Sequence, residues 1–111
     1  MSMNVQLVRQ VGINRERLYE SLGERIRQER SARAMKQAEL AARVGLSRTS
    51  ITNVECGRQA LSLHQLVEFA FALGVEPTDL MPAVNEVREK RDQIYSTELL
   101  ELVSKLKHRT S

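Results

Sequence analysis

The stretch from Gln37 to Cys56, QAELAARVGLSRTSITNVEC, constrains this chain more than any other. Its apolar residues recur at helical spacing in two short runs with a glycine between them. The first predicted helix runs from about Gln37 to Val44 and the second from about Arg48 to Cys56. Leu40 and Val44 on one, and Ile51 and Val54 on the other, fall on the faces the two helices bury together. Ala41 sits where the second helix crosses the first, and a small side chain is what lets them approach. Gly45 follows the last residue of the first helix, where the backbone turns left-handed and only glycine does so without steric cost. Leu46 plugs the turn into the core. Ser47 stands where an N-cap belongs, its hydroxyl placed to accept a backbone N–H from the second helix.

These residues are similar to the helix-turn-helix of the Cro and phage-repressor family, also called the XRE type. The likeness lies in Gln37, Leu40 and Ala41 at the opening, the Val44-Gly45-Leu46 turn, Ile51, and Glu55 with Gly57 at the end. Leu22 to Arg27 resembles the family's first helix, and Ser62 to Leu80 its fourth and fifth. The resemblance covers roughly Leu22 to Pro82 and implies an all-α, five-helix repressor-like DNA-binding bundle. It speaks to DNA binding as a class and is silent on the target sequence.

In that family the recognition helix lies in the major groove with its N-terminal residues against base edges, while the preceding helix crosses the phosphate backbone. Carried over position by position, the resemblance implies base contacts from Arg48, Thr49, Thr52 and Asn53. Helical spacing separately places these four opposite Ile51 and Val54, on a face with no apolar role. Arg48 offers two donors to guanine O6 and N7, and Asn53 both gives and accepts against adenine N6 and N7. Thr49 and Thr52 suit a thymine methyl or a phosphate. Gln37, opening the first motif helix, is expected to bind phosphate with help from its backbone N–H and the helix dipole. Lys36, Arg43, Ser47, Ser50 and Arg58 are further phosphate candidates, ranked below it. The family also pairs an Arg late in the first helix with the Glu that ends the recognition helix, which here implies a structural ion pair between Arg30 and Glu55. Such a pair fixes a helix angle more than it adds stability, because desolvation offsets much of the attraction. Two residues depart from the family pattern. Ala34 stands where a Gly usually ends the first helix, and Lys36 where a Ser, Thr or Asn usually caps the second. Either Ala34 is left-handed at a cost of about 1 kcal/mol, or the loop takes another route.

Charge distribution agrees with a nucleic-acid partner. The chain has 111 residues, 41% apolar and 28% charged, with a net charge of +3. That length suits one core with appendages. Arg33, Lys36, Arg43, Arg48 and Arg58 face only Glu39 and Glu55 across the motif region, whereas Gln59 to Pro82 holds Glu68, Glu76 and Asp79 and no Lys or Arg. Basic charge is thus concentrated where DNA would dock. The single Cys56 forms no internal disulfide and reads as a small packing residue. No signal peptide and no apolar run of membrane-spanning length is seen, so a cytoplasmic protein without a membrane partner is expected.

Around the motif, residues 1–13 read as an N-terminal arm or short amphipathic helix. Asn14 is a candidate N-cap for a long helix from Arg15 to about Ala32, with Leu18, Leu22 and Ile26 inward and Gly23 a tolerated weak point. Gly57 ends the recognition helix, and Arg58, Gln59 and Ala60 form the loop that follows. Ser62 with Gln65 makes a capping box for a helix whose predicted buried face is Leu63, Leu66, Val67, Ala70 and Leu73, stopped by Gly74. Phe69 and Phe71 read as core or interface packing. Pro77 opens a last short helix with Leu80 inward. The DNA-binding domain so defined spans residues 14–82. Residues 83–111 alternate in charge and read as a helical extension. It carries a thin stripe of Val84, Val87, Ile94 and Tyr95 and a stronger one of Leu99, Leu100, Val103 and Leu106. Ser96 or Thr97 is a candidate cap, and Lys105, Lys107, His108 and Arg109 suit the helix's negative end. Such stripes imply dimerisation or docking of a partner protein.

The expected function is a sequence-specific transcriptional regulator binding double-stranded DNA as a homodimer, on a palindromic operator with half-sites about one helical turn apart. Steric repression, autoregulation included, is the simplest mechanism. Phage-type repressor, restriction-modification controller and antitoxin are the three settings, the last favoured by the extension. The rival is a protein-interaction module that kept the fold and lost DNA binding. No enzyme, cofactor or metal site is expected: His64 and His108 lack ligand spacing, and no nucleophile stands beside a base.

Overall fold

The computed structural model describes residues 12–89, 99 and 101–106. The chain divides into two compact units, Asn14–Val87 and a second made of Met1–Ile13 with Arg88–Ser111. In the first unit the helices are α1 (Arg15–Ala32), α2 (Gln37–Val44), α3 (Arg48–Glu55), α4 (Leu63–Leu73), α5 (Pro77–Leu80) and α6 (Val84–Val87). The all-α, five-helix bundle expected from the sequence is α1 to α5. In the second unit, the described residues hold an isolated antiparallel bridge between Ile13 and Arg88, and residues 99 and 101–106 are helical. No helix among the described residues is long and apolar enough to cross a membrane.

Local chemistry accounts for the helix ends. The Asn14 side chain accepts the Arg17 N–H, Ser47 accepts that of Ser50, and Ser62 with Gln65 closes a full capping box. Gly45 and Gly74 end α2 and α4 in the left-handed conformation, at φ 68° and 72°. Ala34 adopts φ 51°, so the chain takes the left-handed route without glycine. Lys36, at the N-cap of α2, contributes no side-chain cap.

Helix α1 is the spine, packing on α3, α4, α5 and α6. The core comprises Leu22 and Ile26 of α1, Met35 of the loop, Leu40, Ala41 and Val44 of α2, Ile51 and Val54 of α3, Phe69, Ala70 and Leu73 of α4, and Leu80 of α5. Leu46 packs partly buried against it, plugging the turn.

The structure departs from the sequence reading at Gly23, at Leu63 and Val67, and at Val87. Gly23 is no weak point: a Cβ there would stand 2.2 Å from the Val54 carbonyl oxygen and 2.7 Å from that of Glu55, so glycine is what lets α1 and α3 touch backbone to backbone. Leu63 and Val67 do not belong to the buried face of α4, which is Leu66, Phe69, Ala70 and Leu73; Leu63 is 77% exposed and Val67 47%. Phe71 is 88% exposed, while Phe69 is wholly buried. The segment LHQLVEFAFAL is apolar on nearly every side, so its periodicity could not choose the inward stripe. Val84 and Val87 also part company: Val87 is buried and α6 packs on α1, whereas Val84 is exposed. Residues 1–11, Ile94, Tyr95, Ser96, Thr97, Leu100 and Lys107 to Arg109 lie outside the described residues.

Candidate nucleic-acid interface

One face of α3 carries polar side chains turned away from the core. Arg48 and Thr49 are exposed in its first turn, and Thr52 and Asn53 lie half-buried one turn on. Ile51 and Val54 point the other way into the core. Among the described residues, the side chains of Arg48, Thr49 and Asn53 make no hydrogen bond, so the guanidinium fork and the carboxamide keep their donors and acceptors for a ligand. The Asn53 carbonyl accepts the Arg58 N–H at 2.8 Å and the Gln59 N–H at 3.3 Å, which folds the following loop back onto the end of α3.

The face is held by a buried clamp. Arg30 Nε donates to Glu55 Oε2 at 2.6 Å and Arg30 Nη2 to Glu55 Oε1 at 3.0 Å, with the side chains 14% and 3% exposed. Arg30 Nη1 donates to the Met35 carbonyl at 2.7 Å, tying in the loop as well. The bidentate geometry fixes the angle between α1 and α3. Gln37 adds a third member: its Nε2 donates to Glu55 Oε1 at 3.0 Å, and the Thr52 hydroxyl donates to Gln37 Oε1 at 3.3 Å. Sequence reasoning placed Gln37 only on a phosphate. Its contact to Glu55 spans 18 positions and two helices, and no local pattern announces it.

The candidate phosphate residues differ in circumstance. Lys36 and Arg58 are exposed, flanking α2 and α3. The Ser47 hydroxyl accepts the Ser50 N–H and donates to Ser50 Oγ, both at 3.1 Å, so Ser47 works first as a cap. Arg43 pairs with Glu39 at 3.2 Å and donates to the Ala72 carbonyl of α4 at 3.3 Å. Exposed pairs of that kind are worth little and exchange readily for a stronger partner. Elsewhere, on α1, the Arg27 guanidinium beside Glu24 holds its carboxyl below the usual range, and Glu24 in turn pushes the guanidinium up. His64 is exposed and paired with Glu68, and no group of three or more His, Cys, Asp or Glu among the described residues is placed to hold a metal ion.

Comparison with known proteins bears on this arrangement. The chain is 38% identical over 72 residues to the HTH-type transcriptional regulator y4dL of Sinorhizobium fredii, covering 61% of this chain and 37% of that one. It is also 38% identical over 60 residues to the control protein C.BamHI of Bacillus amyloliquefaciens, covering 53% and 74% of the two. Among solved structures, the restriction-modification controller protein C.AhdI from Aeromonas hydrophila superposes with a TM-score of 0.55 at 35% identity, over 57% of this chain and 96% of that one. The chain thus spans little more than a third of the first curated relative and about three quarters of the second. The family model described as a helix-turn-helix domain matches residues 21–83, taking in the clamp, the turn and the polar face of α3. On that match, which bears out the resemblance read from Gln37 to Gly57, the chain belongs to the helix-turn-helix domain family.

Proposed function

We propose that this protein is a sequence-specific transcriptional regulator that reads duplex DNA through α3 in the major groove. The observation that carries the reading is the α3 face itself: Arg48, Thr49, Thr52 and Asn53 stand clear of the core on a helix locked by Arg30 and Glu55. A fixed helix on which Arg48, Thr49 and Asn53 keep their donors and acceptors free of partners among the described residues is what direct base readout requires. The N–H groups opening α2, with Lys36 and Gln37 at that end and Arg58 in the loop after α3, supply the phosphate contacts that set its register. Similarity to two proteins named as controllers supports a restriction-modification setting for this chain.

The regulator acts as a homodimer on a palindrome. Leu63, Val67 and Phe71 follow one another at four-residue spacing along the outer face of α4 and are exposed. Together they present about 400 Å² of apolar side chain, a patch of the size that is often functional and about half of one partner's share of a standard interface. A two-fold contact uses the same patch on both subunits, which one continuous stripe satisfies. A second reading, a partner protein on the extension, draws on exposed Leu99, Leu102 and Val103; co-purification of a small neighbour-encoded protein distinguishes it.

The test is binding to duplex DNA from upstream of the protein's own gene, against random competitor, across a salt series, for the wild type and Arg48→Ala. The expected result is specific binding that weakens steeply with salt and loses sequence preference in the variant. Equal, weak binding of both proteins to any DNA would favour the protein-interaction module instead.

A further inference from the structure

We infer that Thr52 reads its base as a hydrogen-bond acceptor only, and so selects an amino base, adenine or cytosine, over a keto base, guanine or thymine. The inference rests on the DNA-binding reading above and adds to it the polarity of one contact. Glu55 is the origin of that polarity. Its carboxylate only accepts, so the Gln37 carboxamide must turn its Nε2 toward Glu55 Oε1, 3.0 Å away. That leaves Gln37 Oε1 facing Thr52, and an amide oxygen also only accepts. The Thr52 hydroxyl therefore donates its one proton inward, to Gln37 Oε1 at 3.3 Å or to the Arg48 carbonyl one turn back at 3.2 Å. Both neighbours are acceptors, and rotation from one to the other frees no proton for DNA.

With its proton so engaged, the Thr52 hydroxyl keeps only its lone pairs for a base. In the major groove the hydrogen-bond donors are adenine N6 and cytosine N4, while guanine O6 and N7 and thymine O4 are acceptors that would face the Thr52 oxygen repulsively. An unconstrained threonine hydroxyl would serve either kind of base. Gln37 is thus a positioning residue for specificity. Its second amide proton has no partner among the described residues and remains for a phosphate.

The test is enrichment of preferred sequences from a randomised duplex DNA library, with wild type, Thr52→Val, Thr52→Ser and Gln37→Leu, after thermal melts establish that each is folded. Wild type is expected to show one position per half-site with an amino-over-keto preference on the order of tenfold, the discrimination of one good base contact. Thr52→Val is expected to lose that preference and keep the rest of the site, Thr52→Ser to keep it, and Gln37→Leu to reduce it severalfold beyond any uniform loss of affinity. An enriched site unchanged at every position in Thr52→Val, or one that prefers a keto base at the position Thr52→Val alters, overturns the inference. A full preference in Gln37→Leu overturns the part assigned to Gln37. A wild type that enriches no sequence overturns the DNA-binding reading itself and this inference with it.

Discussion

At the scale of single residues, two backbone positions carry consequences that side-chain contacts do not show. Gly23 has no room for a methyl group, because the carbonyls of Val54 and Glu55 occupy the space. Alanine in mid-helix ordinarily gains about 1 kcal/mol over glycine. Gly23→Ala is nonetheless expected to lose about 2 kcal/mol in urea unfolding, since α1 and α3 must separate to admit it. Ala34 is the converse case. Its φ of 51° strains an L side chain, so Ala34→Gly relieves the strain while loosening the unfolded chain. The balance is expected to be a gain of up to about 1 kcal/mol in the same measurement, with no change in DNA affinity.

Between elements, the clamp fixes α1 against α3, while the exposed stripe of Leu63, Val67 and Phe71 on α4 is the proposed dimer contact. Removing one member of a buried bidentate pair leaves the other charge unpaired. Glu55→Ala is expected to cost about 3 kcal/mol, and the doubly substituted Arg30→Met, Glu55→Met protein clearly less, a non-additivity that a double-mutant cycle measures. On α4, Phe71→Ser is expected to leave the melting temperature nearly unchanged and to weaken self-association at least tenfold in sedimentation velocity. A sedimentation profile that does not respond to Phe71→Ser would remove α4 as the interface. The sequence named Phe71 as core or interface without deciding, and it placed Leu63 and Val67 inward. An amphipathic helix declares its buried side through polar residues on the other. With only His64, Gln65 and Glu68 to mark a polar side, α4 made too weak a declaration.

For the molecule as a whole, the compact unit runs to Val87, five residues past the Pro82 boundary drawn from composition. The α6 turn is held on α1 by the buried Val87 side chain, by the Asn14 N–H donating to the Val87 carbonyl at 2.7 Å, and by Glu86, which accepts from Arg25 at 2.9 Å. A fragment of residues 14–87 is therefore expected to melt cooperatively. One of residues 14–82 is expected to be about 1–2 kcal/mol less stable, most of it from Val87, since the exposed Glu86 pair contributes little. Equal stability of the two fragments would place the working boundary at Pro82 after all.

By itself the sequence determined the helices, their caps and the crossing of α2 and α3. Each of these depends on residues within a few positions of one another: Asn14 with Arg17, Ser62 with Gln65, Gly45 after Val44. It also marked the outward face of α3, because a stripe of Arg48, Thr49, Thr52 and Asn53 opposite Ile51 and Val54 is a local pattern. Only the tertiary structure decided what depends on distant segments meeting. It made Gly23 a contact point, chose Phe69 over Leu63 for the core, brought Val87 back onto α1, and set Gln37 between Glu55 and Thr52. Local periodicity fixes which side chains share a face. Which faces meet, and which proton each buried polar group gives up, is settled by packing elements far apart in the chain.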